Sequence, residues 1–376
     1  MTHPLARICL LGSIIATCAT SQQAIQLVTG GTDDHLDFPA DSRTIPDREM
    51  TVECWMTYDD STVPTGSSYW PTICRHNVTP GAENYFLRVQ AGSTNNLVLT
   101  FKIVTGQGGQ SVSYNFVPGE FAAWTHVAAT YDNRDLTLYI NGMPVGTTPA
   151  SGGNLASTSG FLRVGNGDDS TAGHEVWNGE IDEFRIWPFA RTQAEILDTM
   201  NASLLVAPSA LVLSLDGLYD DFSLGLTPTV SGTVPFVAGN ALTPVAIGGV
   251  DYGQPSTTCT RHQLGTSVGS TAAPGNADFA LICYDARVGR TGGVFLATQP
   301  LATPLNFFGV DFWVDVGTLL PAQPPATVGS GGTARRSLPI PAGTPSGLQL
   351  HAQFLFLDDC GSMGLVASKG LTFTIQ

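Results

Sequence analysis

Apolar and polar residues alternate with a period of two through most of this chain. Residues 49–59 show it most clearly. Met50, Val52, Cys54 and Met56 fall on one face and Thr51, Glu53, Trp55 and Thr57 on the other, as in a strand with one face in a core. Residues 69–75, 85–90, 97–104, 112–117, 161–165, 179–187, 211–215 and 230–237 read as further strands, and residues 24–39 as a strand pair around the turn-forming 29–34. Residues 124–146 predict a three-stranded meander. Its first turn is Asp132-Asn133-Arg134-Asp135, and its second is Asn141-Gly142, the strongest short-range hairpin signal. Only one helix is predicted, where Thr192 and Glu195 form a capping-box pattern ahead of Ile196 and Met200.

Residues 243–258 are rich in Pro, Gly, Ser and Thr and mark a domain boundary. The expected division is a first domain at 24–245, a linker at 246–258 and a second β domain at 259–376. In the second domain 279–284, 307–316, 348–357 and 371–376 read as strands. Leu348, Leu350, Ala352, Phe354 and Phe356 share one apolar face, and 321–336 reads as a long exposed loop.

Composition sharpens this picture. With 42 Gly, 24 Pro and only 12 % charged residues, the chain is a folded, turn-rich, all-β protein. A formal charge of −15 argues against nucleic acid as a partner, because phosphate binding needs clustered Lys and Arg. Arg7, the apolar run 8–16 and Thr17-Cys18-Ala19 have the layout of a signal peptide over residues 1–19, so a secreted, extracellular or cell-surface protein is expected. A lipoprotein signal is the alternative, with Thr17 departing from the small residue expected before Cys18. No later stretch is long enough to span a bilayer. Export leaves Cys54, Cys74, Cys259, Cys283 and Cys360 in an oxidising compartment. Cys54–Cys74 on consecutive strands is the first expected bridge and Cys283–Cys360 the second. The sequence does not decide which of the three later cysteines is left over.

Several motifs carry a family resemblance. Residues 124–131, then Leu136, Tyr139, Ile140, Asn141 and Gly142, resemble the laminin-G-like and pentraxin-like jelly rolls. Residues 179–187 with 190–196 are similar to that family's closing strand and helix, and 30–38 and 50–55 to its opening strands. The resemblance implies a concanavalin A-like jelly-roll β-sandwich over residues 24–245; the strand pattern beyond it reads as a smaller β-sandwich-like domain. It also implies glycan binding, adhesion or cell-surface recognition. Residues 347–357 and 370–376 more loosely resemble a terminal module of secreted bacterial proteins.

Three constellations carry chemistry. Calcium needs several convergent oxygen ligands. Glu83-Asn84 resembles the family's calcium-holding acid-amide pair, and Asp168 and Asp169 lie where its second acidic loop falls, with Gly167 standing where another acid is expected. Asp33, Asp34 and Asp182 form a second, structural calcium candidate, although turn formation explains the first two equally well. Glu180-Ile181-Asp182-Glu183 resembles the paired acids of laminarinase-type hydrolases. Retaining hydrolysis needs two carboxyl groups about 5–5.5 Å apart. On a regular strand Glu180 and Asp182 share a face, the next position on it is Phe184, and Glu183 points away. Trp70 and Trp177, at loop edges, are the candidates for stacking on a sugar. The expected function is therefore non-enzymatic binding of glycan or a cell-surface component, with calcium as the implied cofactor. A ligand-free envelope or matrix protein and a divergent β-glucan hydrolase are the alternatives.

Overall fold

The computed structural model describes residues 23–28, 33–61, 69–79, 81–91, 97–156, 160–167, 175–206, 213–215, 225–240, 242–246, 249–260, 262–321 and 323–376. The expected leader at 1–19 and the acids Asp168 and Asp169 lie outside these residues. No helix among the described residues is long and apolar enough to cross a membrane.

The first domain is a sandwich of two antiparallel sheets. Sheet I runs in the order Met143–Pro149, Asp135–Ile140, Thr125–Tyr131, Met50–Met56, Gly179–Trp187, Gln23–Leu27 and Phe236–Ala238, with Leu213–Leu215 also paired to Gly179–Trp187. Sheet II runs Thr229–Ser231, His35–Phe38, Leu162–Val164, Thr72–His76, Tyr85–Ala91, Leu97–Thr105 and Gly108–Phe116. The predicted meander forms one edge of sheet I, and Asn141-Gly142 takes φ of 49° and 75°, the left-handed pair that such a turn requires. Alternating residues of the two sheets meet in one core: Met50, Val52, Cys54 and Met56 from sheet I, Leu87, Val89, Leu99 and Phe101 from sheet II.

The outer face of Met50–Met56 departs from expectation, because Thr51, Glu53 and Trp55 are buried as well. Its cover is the helix Gln193–Thr199 and the chain around it. The predicted capping box is present: Glu195 N donates to Thr192 Oγ1 (3.3 Å) and Thr192 N to Glu195 Oε2 (2.9 Å). Beneath the helix, Glu53 Oε1 accepts from Arg191 Nη1 (2.8 Å), Trp187 Nε1 (2.9 Å) and Arg185 Nη1 (3.5 Å). Arg185 also binds Glu183 and donates to Thr199 O at 3.2 Å. Burial alone would push the Glu53 carboxyl up, but Arg191 and Arg185 outweigh it and hold it at about 2.

The second domain packs a five-stranded sheet (Val250–Tyr252, Leu365–Thr374, Gln349–Leu357, Thr291–Ala297, Pro325–Thr327) against a three-stranded one (Gly265–Val268, Ala280–Tyr284, Ala334–Ser337). The presumed linker thus contributes the strand Val250–Tyr252. The expected loop at 321–336 holds Pro325–Thr327 and the start of Ala334–Ser337, because both find partner strands that local composition does not reveal. The domains are docked. Arg335 pairs with Glu195 and donates to Ala190 O (2.9 Å), Asp198 accepts from Thr271 N (2.8 Å), and Asn133 Nδ2 donates to Ser330 O (2.8 Å).

Both expected disulfides are corrected. The bond is Cys259–Cys360, while Cys54, Cys74 and Cys283 are buried free thiols. Cys54 and Cys74 lie in opposite sheets, and stacked sheets sit about 10 Å apart, beyond the roughly 7 Å Cα separation that a disulfide tolerates. Cys283 is held inside the three-stranded sheet opposite Ala334, away from the loop that carries Cys360.

Two outcomes follow for stability. Arg191→Met leaves Glu53 short of its nearest cation and is expected to cost about 3–5 kcal/mol in urea unfolding; a loss under about 1 kcal/mol would contradict the network's role. Glu49, wedged between Gly331 and Ala190 N (3.4 Å) at the domain junction, has its carboxyl pushed up by burial to about 7. The folded state therefore holds a proton that the unfolded state has lost. Stability is expected to fall by on the order of 1–2 kcal/mol as pH rises from about 4.5 to 7, and Glu49→Gln to flatten that fall in melting curves.

Candidate functional site

In sheet II, the residues between core positions face outward, and the strand register aligns several of them in one row. Asp37 pairs with Arg163, Arg163 with Arg75, Arg75 with Phe86, Phe86 with Lys102 and Lys102 with Ser111. Three cations and a ring thus cross the sheet of a strongly acidic chain. At one end Asp37 binds Arg163 through two bonds of 2.7 and 2.9 Å, with His35 Nε2 3.3 Å from the same carboxylate. Burial would raise the Asp37 carboxyl, but its hydrogen bonds to His35 and Arg163 bring it below the usual range.

The centre of the row is closed over. Arg75 is buried; it donates to Asn77 O (3.1 Å) and Thr79 O (3.3 Å), and lies 3.5 Å from Glu83 and 3.9 Å from Glu175. It ties the loop that carries Glu83 to the segment that follows the second acidic loop. Gly167 is explained here: a Cβ on it would lie 1.4 Å from Glu175 Oε2, so the carboxylate of Glu175 fills the space of a side chain at that position.

A second outward row runs beside the first, in which Thr72 pairs with Arg88, Arg88 with Thr100 and Thr100 with Ser113. Trp70 is half-buried, with its backbone pinned where Thr72 Oγ1 donates to Trp70 O (2.8 Å) and Val89 N to Pro71 O (2.7 Å). The Arg88 guanidinium lies 5.7 Å from the Trp70 ring and 4.1 Å from Phe86. Beside them stand Lys102 and the bonded hydroxyls of Thr100 and Ser113 (2.9 Å), with Ser111 and Gln90 exposed. A flat ring next to a guanidinium, an ammonium and hydroxyls offers both stacking and hydrogen bonding to a polyhydroxylated ligand.

The residues singled out from sequence are placed as follows. Glu83 binds Lys102 at 2.6 Å as well as Arg75; burial opposes ionisation, but these cations hold its carboxyl low. Asn84 is buried, its amide donating to Ala156 O and its oxygen 3.3 Å from His76 Nδ1. A carboxylate already flanked by two cations and an inward-turned amide do not fit a divalent ion. Asp34 accepts from Thr233 N (2.8 Å), Asp182 from Asn240 N (2.9 Å), and Asp33 lies 3.4 Å from Asn166 Nδ2. These three acids are not gathered at one point. Among the described residues the single His/Cys/Asp/Glu trio within reach of one ion is Asp358, Asp359 and Cys360, whose sulfur is in the disulfide and whose acids bind Arg287. Trp177 is corrected: it is fully buried against Tyr58 (4.8 Å), and its Nε1 donates to Thr57 O (3.1 Å).

The acidic strand is corrected too. A bulge between Asp182 and Arg185, with Glu183 at φ 49°, turns Phe184 into the core and brings Glu183 out beside Asp182. Glu183 is committed to Arg185, 3.1 Å from Nε. Sequence reasoning missed Arg75, Arg88, Arg163 and Glu175. The signal was an arginine within each of three short apolar strands, an uncommon residue for such positions.

Residues 30–197 match the family model described as the concanavalin A-like lectin/glucanases superfamily, of laminin-G type. The chain is 33 % identical over 124 residues to pappalysin-1 of Mus musculus, a match covering 33 % of this chain and 7 % of that protein, so it spans less than a tenth of that relative. Among solved structures it is similar to a native heptameric SAP-like pentraxin from Limulus polyphemus, with 16 % identity, 59 % of this chain and 97 % of that one covered, and a TM-score of 0.45. It is also similar to a putative carbohydrate binding protein from Bacteroides ovatus, with 18 % identity, 59 % and 61 % covered, and a TM-score of 0.42.

The ion pairs at Glu83 have a direct check. Millimolar calcium is expected to leave the melting temperature of the wild-type chain unchanged. A rise that Glu83→Gln abolishes would show calcium displacing Lys102 from this carboxylate.

Proposed function

We propose that this chain, whose residues 30–197 form a laminin-G-like domain of the concanavalin A-like superfamily, is a secreted, non-enzymatic protein that binds glycan on a cell surface or in the extracellular matrix. The observation that carries this reading is the partly exposed Trp70 ring beside Arg88, on the outward face of sheet II. Its contact surface comprises Trp70, Arg88, Lys102, Thr100 and Ser113. The cations of this row already occupy Glu83, so recognition on this face proceeds without calcium. The disulfide Cys259–Cys360 fits an oxidising compartment, in line with export. A hydrolytic reading is disfavoured because Arg185 holds Glu183 in the buried network and leaves it no role as an acid or base.

Glycan-array binding by the full chain tests the proposal. Trp70→Ala is expected to reduce binding at least about tenfold, the loss of one aromatic stacking partner, with an unchanged melting temperature. EDTA is expected to change nothing. An array on which the wild-type chain retains no glycan would favour a structural envelope or matrix role, and release of reducing sugar from β-glucans would reinstate the hydrolase.

A further inference from the structure

Among the described residues, three pairs of a non-glycine residue followed by glycine adopt the same left-handed pair of conformations. Asn141-Gly142 has φ of 49° and 75°, Phe308-Gly309 50° and 79°, and Met363-Gly364 54° and 81°. The first uses the residue best suited to a positive φ. The other two place bulky apolar side chains where Asn or Gly is favoured, at a cost of about 1–2 kcal/mol each. Both side chains are also in solvent: Phe308 is 55 % and Met363 75 % exposed. Each position is thus unfavourable twice over, in backbone and in hydration.

The two sites are neighbours. Phe308-Gly309 is the two-residue turn of the hairpin Pro300–Phe307 and Val310–Val314, in which Phe307 pairs with Val310. A Cβ on Gly309 would lie 2.2 Å from Ser362 Oγ, so this apex touches the turn that bears Met363. Phe307, 48 % exposed, stands edge-to-face with Phe308 at 4.6 Å, and Leu305 on the same hairpin is 45 % exposed. Of the acids nearby, Asp359 is ion-paired with Arg287 (2.5 Å) and Arg290 (2.6 Å), and Asp311 accepts a hydrogen bond from the neutral amide of Asn306 (3.2 Å). Residues 259–376 hold six Asp and no Glu against five Arg and one Lys, so the whole −15 of the chain lies before them.

We propose that the paired tips at Phe307-Phe308 and Met363 insert into the interface of a zwitterionic lipid surface and attach the second domain to it. A convex apolar apex matches a deformable lipid interface without needing a complementary groove. Residues 259–376, which carry no net charge, lose little on approaching uncharged headgroups.

Co-sedimentation of the full chain with phosphatidylcholine vesicles tests this. Wild-type protein is expected to bind at millimolar lipid, and replacing part of the lipid with phosphatidylserine to give no gain. Phe308→Asn combined with Met363→Asn keeps both turns in residues that favour them, so the variant is expected to melt no lower than wild type while its vesicle binding drops at least about tenfold. Unchanged binding by that variant, or no wild-type binding at millimolar lipid, overturns the proposal. A wild-type dimer in sedimentation that the double variant dissolves also overturns it, by assigning the tips to a second copy. Trp70→Ala is expected to leave vesicle binding intact, which keeps this test separate from glycan recognition.

Discussion

The buried carboxylate of Glu53 is the interaction on which the arrangement of both domains depends. It sits on a central strand of sheet I with no exposure, and desolvating it is costly unless cations and hydrogen bonds compensate. Arg191, Arg185 and Trp187 supply these from two separate segments, and Arg191 Nη2 reaches on to Thr199 Oγ1 at 2.6 Å. Meeting one charge therefore fixes the strand Gly179–Trp187, the helix and the segment between them. Glu195, on the same helix, then pairs with Arg335 of the second domain. A sheet face that would otherwise meet water becomes an internal interface, and the second domain is seated against the first instead of trailing from a linker.

Much of the fold was legible because its signals are local. The period-two run at 49–59, the Asn141-Gly142 turn and the Thr192/Glu195 capping box each depend on residues a few positions apart, and all three appear in the structure. What escaped depends on pairing across the chain. The strands Pro325–Thr327 and Ala334–Ser337 look like loop until Thr291–Ala297 and Ala280–Tyr284 are brought beside them. The bulge at Glu183 follows from the partner strand's register, so the facing of its acids was misread. Consecutive strands suggest Cys54–Cys74, but these strands fall in opposite sheets, and the bond forms between Cys259 and Cys360 across a separation of 101 residues.

The site was legible in part and for the same reason. Trp70 and Glu83 were recognisable as loop-edge residues, yet their meaning comes from Arg75, Arg88 and Lys102, which lie on three different strands and meet only through register. Glu83 changes character as a result, from a free acid that would attract a metal to a carboxylate already neutralised. Trp177 looked like an edge residue beside Asn178, but its indole closes the core against Tyr58. Attention thereby moves from the loops of the sandwich to one face of it.

The strand Gln23–Leu27 lies between Gly179–Trp187 and Phe236–Ala238 in sheet I, with Ile25 opposite Ile181 on one side and Phe236 on the other. The strand Gln23–Leu27 therefore stays unpaired until residues 179–181, far along the chain, have been made, and its second partner comes only at Phe236–Ala238. Such pairings across long separations are slow to form. The sandwich cannot be completed piecemeal from its amino-terminal end during synthesis.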